Sequence, residues 1–454
     1  MTRARWILTF VVGLGCWARP VAVSAQSPDS LLGFNALDSL LNTPISTAAG
    51  YQQTARDAAA SVTIITAEDI RRYGYRSLVE VLASVRGFYT TNDRTSVSVG
   101  ARGFSRPDAN NSRILLLVDG HSLNENLYNG APFTAEPTVD IGIVERVEIV
   151  RGPASALYGS GAMLAVVNVV TKSGAAVDGL GISGEVGSLG ARSTSATFGR
   201  EFSWGGDVLV TGSWTDASGT DLYFPEYDSP LTNSGVAEDL NWAKTYTVFG
   251  RARFRDLRLS GGVASLKKGI PTGAFGGTFN DPAAQVQSRR LSGEVVFDRD
   301  VGAGQNLLLR GYYDYSQLHQ TIPFVTRGRV EGINEGRWVG AEAQFRWDVT
   351  PWNRVKVGAE YRNHFQAEYF ASDSLAVHVD GDYPSSLVSV YATDELQIRP
   401  NLALTVGLRL DDYSTVGSSL TPRGALVYHP GKSTTLKVLY GEAFRAPNPF
   451  EFNL

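Results

Sequence analysis

Few residues of this chain stand in patterns that support bond-making chemistry. The segment 179–184 reads Gly-Leu-Gly-Ile-Ser-Gly and matches G-x-G-x-x-G by letter. That loop binds a pyrophosphate only where it opens a helix, whose first N–H groups face the anion. β-like residues follow Gly184 instead, so the nucleotide mechanism fails. Ser265 and Lys268 fit the S-x-x-K pair of an acylating serine, without its companion motifs. The five histidines, His121, His319, His364, His378 and His429, show no metal-ligand spacing. The sequence therefore predicts no enzyme, no metal and no cofactor.

Four segments are expected along the chain. Residues 1–25 read as an export signal: Arg3 and Arg5, an apolar run from Trp6 to Gly15, and the small-x-small site Val23-Ser24-Ala25. A lipoprotein signal would need an apolar residue three before Cys16, where Gly13 stands. Cys16 is the chain's one cysteine, so cleavage would leave neither disulfide nor thiolate chemistry. The signal carries three arginines and no acid. Its loss takes Lys+Arg from 41 to 38 against 45 Asp+Glu, and the formal charge from −4 to −7. That balance argues against nucleic acid as a partner.

Residues 26–54 form an expected flexible arm, and 55–174 a compact α/β unit. In that unit the strand Ser61–Thr66 leads into a helix that Thr66 can cap with Asp69. Ser77 and Glu80 open a second helix, LVEVLASV. Short strands are expected around Ser96–Val99, Ile114–Val118, Val147–Val150 and Val166–Thr171. From residue 175 to 454 the period is two. Val355, Val357, Ala359 and Tyr361 alternate with Arg354, Lys356, Gly358 and Glu360. Leu402, Leu404, Val406, Leu408 and Leu410 do the same. One apolar and one polar face over long strands is the pattern of a membrane barrel with a wet lumen. Trp214, Trp338, Trp352 and Tyr391 are expected in its interfacial girdles. No stretch after the signal approaches the ~20 apolar residues of a spanning helix, so the fold class is mainly β, a transmembrane antiparallel β-barrel with an N-terminal α/β domain. Tight links are expected at Asp256-Leu257 and 350–353, and long ones at 217–242, 269–287 and 365–384.

The blocks SVTIITAEDIRRYGYRSLVEVLASVRGFY, GARGF, RILLLVDG and VERVEIVRGPASALYGSGAMLAVVNVVTKSG occur in this order between Asp57 and Gly174. Together, over about 130 residues, they resemble the plug domain of TonB-dependent outer-membrane receptors. The resemblance implies a plug at 55–174 inside a barrel of about 22 strands, of which about thirteen are countable before Leu454. On that count the chain reads as an incomplete barrel, a fragment of a longer receptor. It also implies the partner TonB, which delivers the inner-membrane proton gradient mechanically, and contact with outer-membrane lipid. The arm is too short for the extra folded domain of receptors that also signal to gene regulators.

The resemblance carries over site roles residue by residue. Asn42, Thr43, Pro44, Ile45, Ser46 and Thr47 stand where the TonB box lies, an extended segment able to add a strand to a partner's sheet. Pro44 interrupts its alternation and removes one donor. Arg102 and Arg151, with Glu145 and Glu148, are the expected plug–barrel contacts, since hydrated ion pairs exchange partners at modest cost. Arg94, Arg106, Asp108, Asn110 and Tyr128 on plug loops, and Tyr223 and Tyr227 on a long barrel loop, are candidates for ligand contact. The implied cargo is an iron–siderophore or another metal chelate, such as a corrinoid. A passive outer-membrane channel and a soluble periplasmic β-protein are the other readings, and neither accounts for the 57–174 block.

Overall fold

The structure is a computed structural model that describes residues 44–45, 47, 53–105, 110–133, 139–431 and 434–453. Its front unit is built on β1 (Ser61–Thr66), α1 (Ala67–Tyr73), α2 (Leu78–Ser84), β2 (Phe88–Asn92), β3 (Val97–Ala101), β4 (Ile114–Val118), β5 (Val144–Arg151) and β6 (Ala165–Thr171). Thr66 and Asp69 cap α1 reciprocally, each accepting the other's backbone N–H, and Gly74 at φ 69° ends it. Ser77 caps α2 through the Glu80 N–H. The main sheet runs β1–β5–β6–β4 and ends on the pair His121–Ser122, with β4 parallel to β6. All five side chains of β4, Ile-Leu-Leu-Leu-Val, are buried, as expected of a central strand covered on both faces.

The second unit is a 14-stranded antiparallel sheet. Thirteen strands neighbour one another in chain order: β7 (Gly179–Val186), β8 (Arg192–Glu201), β9 (Gly206–Ala217), β10 (Ala243–Phe254), β11 (Leu257–Gly269), β12 (Gln285–Gly302), β13 (Gln305–Phe324), β14 (Gly328–Thr350), β15 (Asn353–Ser372), β16 (Ser385–Arg399), β17 (Leu402–Tyr413), β18 (Gly417–Gly431) and β19 (Thr434–Gly441). The fourteenth, Val377–Asp382, pairs with the far end of β15. Among the described residues β7 and β19 are its edges. On β17 the alternation sorts as expected: Val406, Leu408 and Leu410 are 40–45% exposed, whereas Arg409 and Asp411 are 2% or less. Apolar side chains face outward and charged ones line the interior.

Three details differ from the sequence reading. The strands β12–β15 span 18 to 23 residues, beyond the roughly ten to fourteen per strand that the alternating pattern from about Leu180 onward predicts, because they run past the apolar belt into polar outward faces such as Gln317 and His319. The stretch 365–384, expected as a loop, is the top of β15 and a short strand. Trp338 and Tyr391 leave the girdle and point inward at 2% and 6% exposure. The Tyr391 hydroxyl donates to Glu342 at 2.7 Å, and its ring lies over Gly358, where a Cβ would strike it. Trp214 and Trp352 stay exposed. Tight links close one end (255–256, 303–304, 351–352, 400–401), and the loops 218–242 and 270–284 stand at the other.

Candidate functional site

The front unit sits against the inner face of the sheet, and the junction joins wall cations to plug acceptors. After β4, Asp119 and Gly120 turn at positive φ. Asp119 accepts the Thr171 N–H at 2.9 Å and the Thr171 hydroxyl at 2.6 Å. Arg251 on β10 reaches this knot, donating to Thr171 Oγ1 at 2.7 Å, the Lys172 carbonyl at 2.7 Å and Asp119 Oδ2 at 3.2 Å. Arg258 on β11 donates to the Asp119 carbonyl and Arg310 on β13 to that of Gly120, at 3.2 and 3.0 Å. Buried Arg290 on β12 donates to the Leu123 carbonyl. Further round, Lys437 on β19 serves the carbonyls of Ala55, Ala58 and Ala60 at 3.1, 2.8 and 3.3 Å. Backbone carbonyls dominate the plug side, which suits a seat that must hold and release, because each can be handed over to water.

The plug side chain His121 instead faces wall carboxylates. His121 is buried with Nε2 2.9 Å from Asp314 Oδ1 and Nδ1 3.7 Å from Glu294 Oε2, both on the wall. Arg258 and Arg310 flank Glu294 at 3.1 and 3.4 Å. Apolar contact adds to the seat through Leu209 and Phe249, wall residues that join the plug's core beside Val118 and Leu123. Between plug and wall lies a cavity of about 750 Å³ lined by Arg253, Asp298, Arg310, Tyr312, Glu342 and Arg409 among others. Its lining is charged and mixed in sign.

The arm lies on the plug. Pro44–Ile45 pairs with Gln53–Thr54, and Ile45 is wholly buried beside Ile64, Leu117 and Val150. Thr47 donates its N–H to the Glu148 carboxylate at 3.1 Å and its hydroxyl to the same oxygen. The Tyr158 hydroxyl donates to the Thr47 carbonyl at 2.7 Å. Glu148, on β5, is fully buried, and Arg146 pairs with it at 2.8 Å. The flexible arm of the sequence reading is thus, where described, docked. Asn42, Thr43 and Ser46 lie outside the described residues.

The structure redistributes the other nominated residues. Arg151 donates to the Arg86 carbonyl at 3.2 Å, and its guanidinium gathers with those of Arg86 and Arg102. Burial, then those two like charges, lower its pKa. None of the three has a carboxylate in salt-bridge range among the described residues, and the charges that face Arg151 are the like charges of Arg102 and Arg86. Glu145 is a surface partner of Arg146 at 3.3 Å, and Glu148 serves the arm. Sequence reading gave no role to Asp119, Gly120 or Leu123, and took His121 only as one of five histidines without metal-ligand spacing. Asp119-Gly120 directly after the apolar run Ile114–Val118 was the available signal.

Tyr128 lies at the plug's loop apex against the wall. Its hydroxyl accepts from Asn334 at 2.8 Å, its carbonyl accepts from Asn448 at 3.1 Å, and its ring meets Tyr369 and Phe450. Beneath it, Glu125 accepts the N–H groups of Leu127, Tyr128 and Gly130 at 2.6, 2.9 and 2.6 Å. Burial still raises its pKa against those bonds and Arg290. Asn110 and Arg94 are exposed with positive φ; Arg106 and Asp108 lie outside the described residues. Tyr227 stacks on Phe279 at 4.2 Å inside a small loop core with Ala237 and Leu240. Tyr223, whose hydroxyl donates to Asp228 at 3.0 Å, is exposed. Among the described candidates, Asn110 lies against the Tyr128 loop at Gly130, whereas Tyr223 and Tyr227 belong to the separate barrel loop 218–242.

Comparison with known proteins follows this geometry. The TonB-dependent Receptor Plug Domain model matches residues 54–166, and the TonB dependent receptor-like β-barrel model matches residues 214–454. The chain is 26% identical over 424 residues to the vitamin B12 transporter BtuB of Vibrio vulnificus, covering 90% of this chain and 64% of that protein. It is 28% identical over 467 residues to the ferric enterobactin receptor PirA of Pseudomonas aeruginosa, covering 87% of this chain and 60% of that one. A mutant ferric enterobactin receptor of P. aeruginosa superposes with a TM-score of 0.67 at 19% identity, over 86% of this chain and 63% of its own. The pyoverdine-bound FpvA of the same organism gives 0.68 at 16%, over 90% and 60%. These structural likenesses speak to the fold. The chain spans about three fifths of the length of the relatives it matches.

Proposed function

The chain belongs to the TonB-dependent receptor family, and from that membership we propose that it imports a scarce, bulky solute through the outer membrane. The cargo class is an iron–siderophore or a related metal chelate such as a corrinoid, in keeping with relatives named for cobalamin and enterobactin. The family consists of transporters and receptors, and this chain is read as a non-enzyme like them. Residues 1–25 serve as its cleaved export signal.

The single observation that carries the reading is the tether between arm and plug. Thr47 is fastened to Glu148 on β5, next to β6, whose far end is held by Asp119 and wall Arg251. The segment 42–47 adds itself as a strand to TonB's sheet, and TonB's pull is delivered to Glu148 in the middle of the plug sheet. Withdrawal of Thr47 leaves a buried carboxylate with a lost partner, which loosens the sheet at the point where it is braced. The wall cations then exchange plug carbonyls for water, and the charged cavity widens into a path. The experiment is growth of a deletion strain on single iron or cobalamin sources. Failure on one source, restored by the intact gene, supports import; unaltered growth on every source overturns it.

A further inference from the structure

A patch on the lipid-facing side, at the tight-turn end of β8–β11, takes no part in the plug's seat. In the turn after β8, Phe202 donates its N–H to the Gly206 carbonyl at 2.7 Å, and Gly205 donates to that of Phe202 at 2.8 Å. Gly205 sits at φ 84°. A Cβ on Gly206 would run into the Trp204 indole, so glycine there lets the ring lie flat across the backbone. The indole stacks on Phe202 at 5.2 Å and 17°, and meets Phe254 of β10 at 5.3 Å. A guanidinium stands at each end: Arg200 is 5.8 Å from the Phe202 ring and Arg255 is 5.0 Å from the Phe254 ring. Two neighbouring turns thus build one ladder, Arg200–Phe202–Trp204–Phe254–Arg255.

Alternation puts the ladder outside. Arg200 shares its face with Phe198, and Phe254 with Tyr246 and Val248, all 40–50% exposed, while Trp204 is 58% exposed. The guanidiniums of Arg200 and Arg255 make no hydrogen bond or ion pair with another described residue. Asp256, the acid of the second turn, is taken by Arg299 at 3.7 Å, and Glu201, opposite Asp207, points to the lumen side. The patch is therefore aromatic and uncompensated in charge.

We propose that this ladder is a headgroup site for an anionic phospholipid of the periplasmic leaflet. Tight turns mark the periplasmic end of such barrels, where the outer membrane presents phospholipid. Indole and phenyl rings settle at headgroup depth. Arginine, weakly hydrated and forked, pairs with phosphate while still resting on a ring. The glycerol and acyl ester lie across the rings, with the phosphate at the guanidinium of one end or the other. The inference rests on the barrel and its orientation and is independent of the cargo.

The test is tryptophan quenching in the protein reconstituted with a minor fraction of dibrominated phosphatidylglycerol or dibrominated phosphatidylcholine. The expected result is stronger quenching by phosphatidylglycerol, an excess abolished by Trp204→Phe, which removes the reporter. Arg200→Gln with Arg255→Gln keeps the reporter and should lower the preference roughly five-fold per arginine. Arg200→Lys with Arg255→Lys should keep part of it. Equal quenching by the two lipids, or an excess untouched by the glutamine pair, overturns the proposal. So does an excess erased by soluble glycerophosphoglycerol, which would mean free anion binding rather than lipid.

Discussion

Thr47 donates its backbone N–H to the buried carboxylate of Glu148 across 101 residues of chain. Glu148 lies opposite Asn168 in the β5–β6 ladder, and Asn168 accepts the Gly120 N–H at 3.1 Å. The Gly120 carbonyl accepts from wall Arg310 at 3.0 Å. The arm is therefore joined to the barrel through one buried carboxylate, one amide and one turn. A tension applied at Thr47 has a defined route to the wall.

Replacing Glu148 tests the first link. Glu148→Ala leaves Arg146 and the Thr47 N–H without their acceptor and should destabilise the plug by about 3–5 kcal/mol, the range for breaking a buried pair. Hydrogen exchange should show lost protection at Thr47 while the strands β12–β15 stay protected. Glu148→Gln keeps an acceptor oxygen and should fall between. Unchanged protection at Thr47 in the alanine variant would remove this link.

The knot at Asp119 and Arg251 should behave as one unit. Asp119→Ala or Arg251→Ala should each raise entry of a large antibiotic normally excluded by the outer membrane. The double variant should be no leakier than the worse single one. A coupling of about 0.5–3 kcal/mol is expected between groups in contact. Strictly additive leak would show that the two residues act apart.

How much of this was legible in the sequence depends on whether the signal was local. The alternation on β17, the capping of α1 by Thr66 and Asp69 and the buried run Ile114–Val118 could all be read, because each follows from neighbours in the chain. The count of about thirteen strands matched the chain-order run for the same reason. Trp338 and Tyr391 were misplaced because an aromatic in a strand suits either face, and only pairing register decides which; both lie mid-strand, in β14 and β16. The seat was missed because its acceptors are backbone carbonyls of Asp119, Gly120 and Leu123, and carbonyls have no residue type. Arg102 and Arg151 attracted notice as charged side chains, yet Arg251, Arg258 and Arg310 make the contacts. Those three are unremarkable in a strand whose polar face looks like any wet lumen.

Gly336 on β14 faces the plug, and a Cβ there would collide with the Asn126 side chain. Asn126 donates to the Gln366 carbonyl at 2.8 Å. Gly336→Ala should push Asn126 away and cost about 1–3 kcal/mol, as overpacking does. The readout is thermal unfolding of the plug together with antibiotic entry. Asn126→Ala in the same background should recover part of the loss by removing the obstacle, and failure to recover any would put the strain elsewhere.

Outside the membrane, the turn after β15 carries a pH dependence of known sign. The His378 ring contacts Asp373 at 2.8 Å, and the N–H groups of Leu375 and Ala376 donate to it at 2.7 and 3.0 Å. These bonds, His378 first, lower its carboxyl from 3.8 to about 2. The folded turn thus binds the proton less tightly than the unfolded chain. Its contribution is complete above the unfolded value and is lost as pH falls through about 2. A carboxyl carbon titration by NMR should place the Asp373 midpoint near 2, and a midpoint at the ordinary carboxyl value would contradict the hydrogen-bonded turn.

The most direct test of energised import is uptake of the growth-supporting chelate by living cells, with radiolabelled metal, in the presence and absence of TonB. The account predicts uptake that stops when TonB is deleted or the proton gradient is collapsed. It also predicts the same loss when Ile45→Pro breaks the arm's ability to add a strand, while binding of the chelate to the cell surface persists. Uptake that continues at full rate without TonB would contradict it.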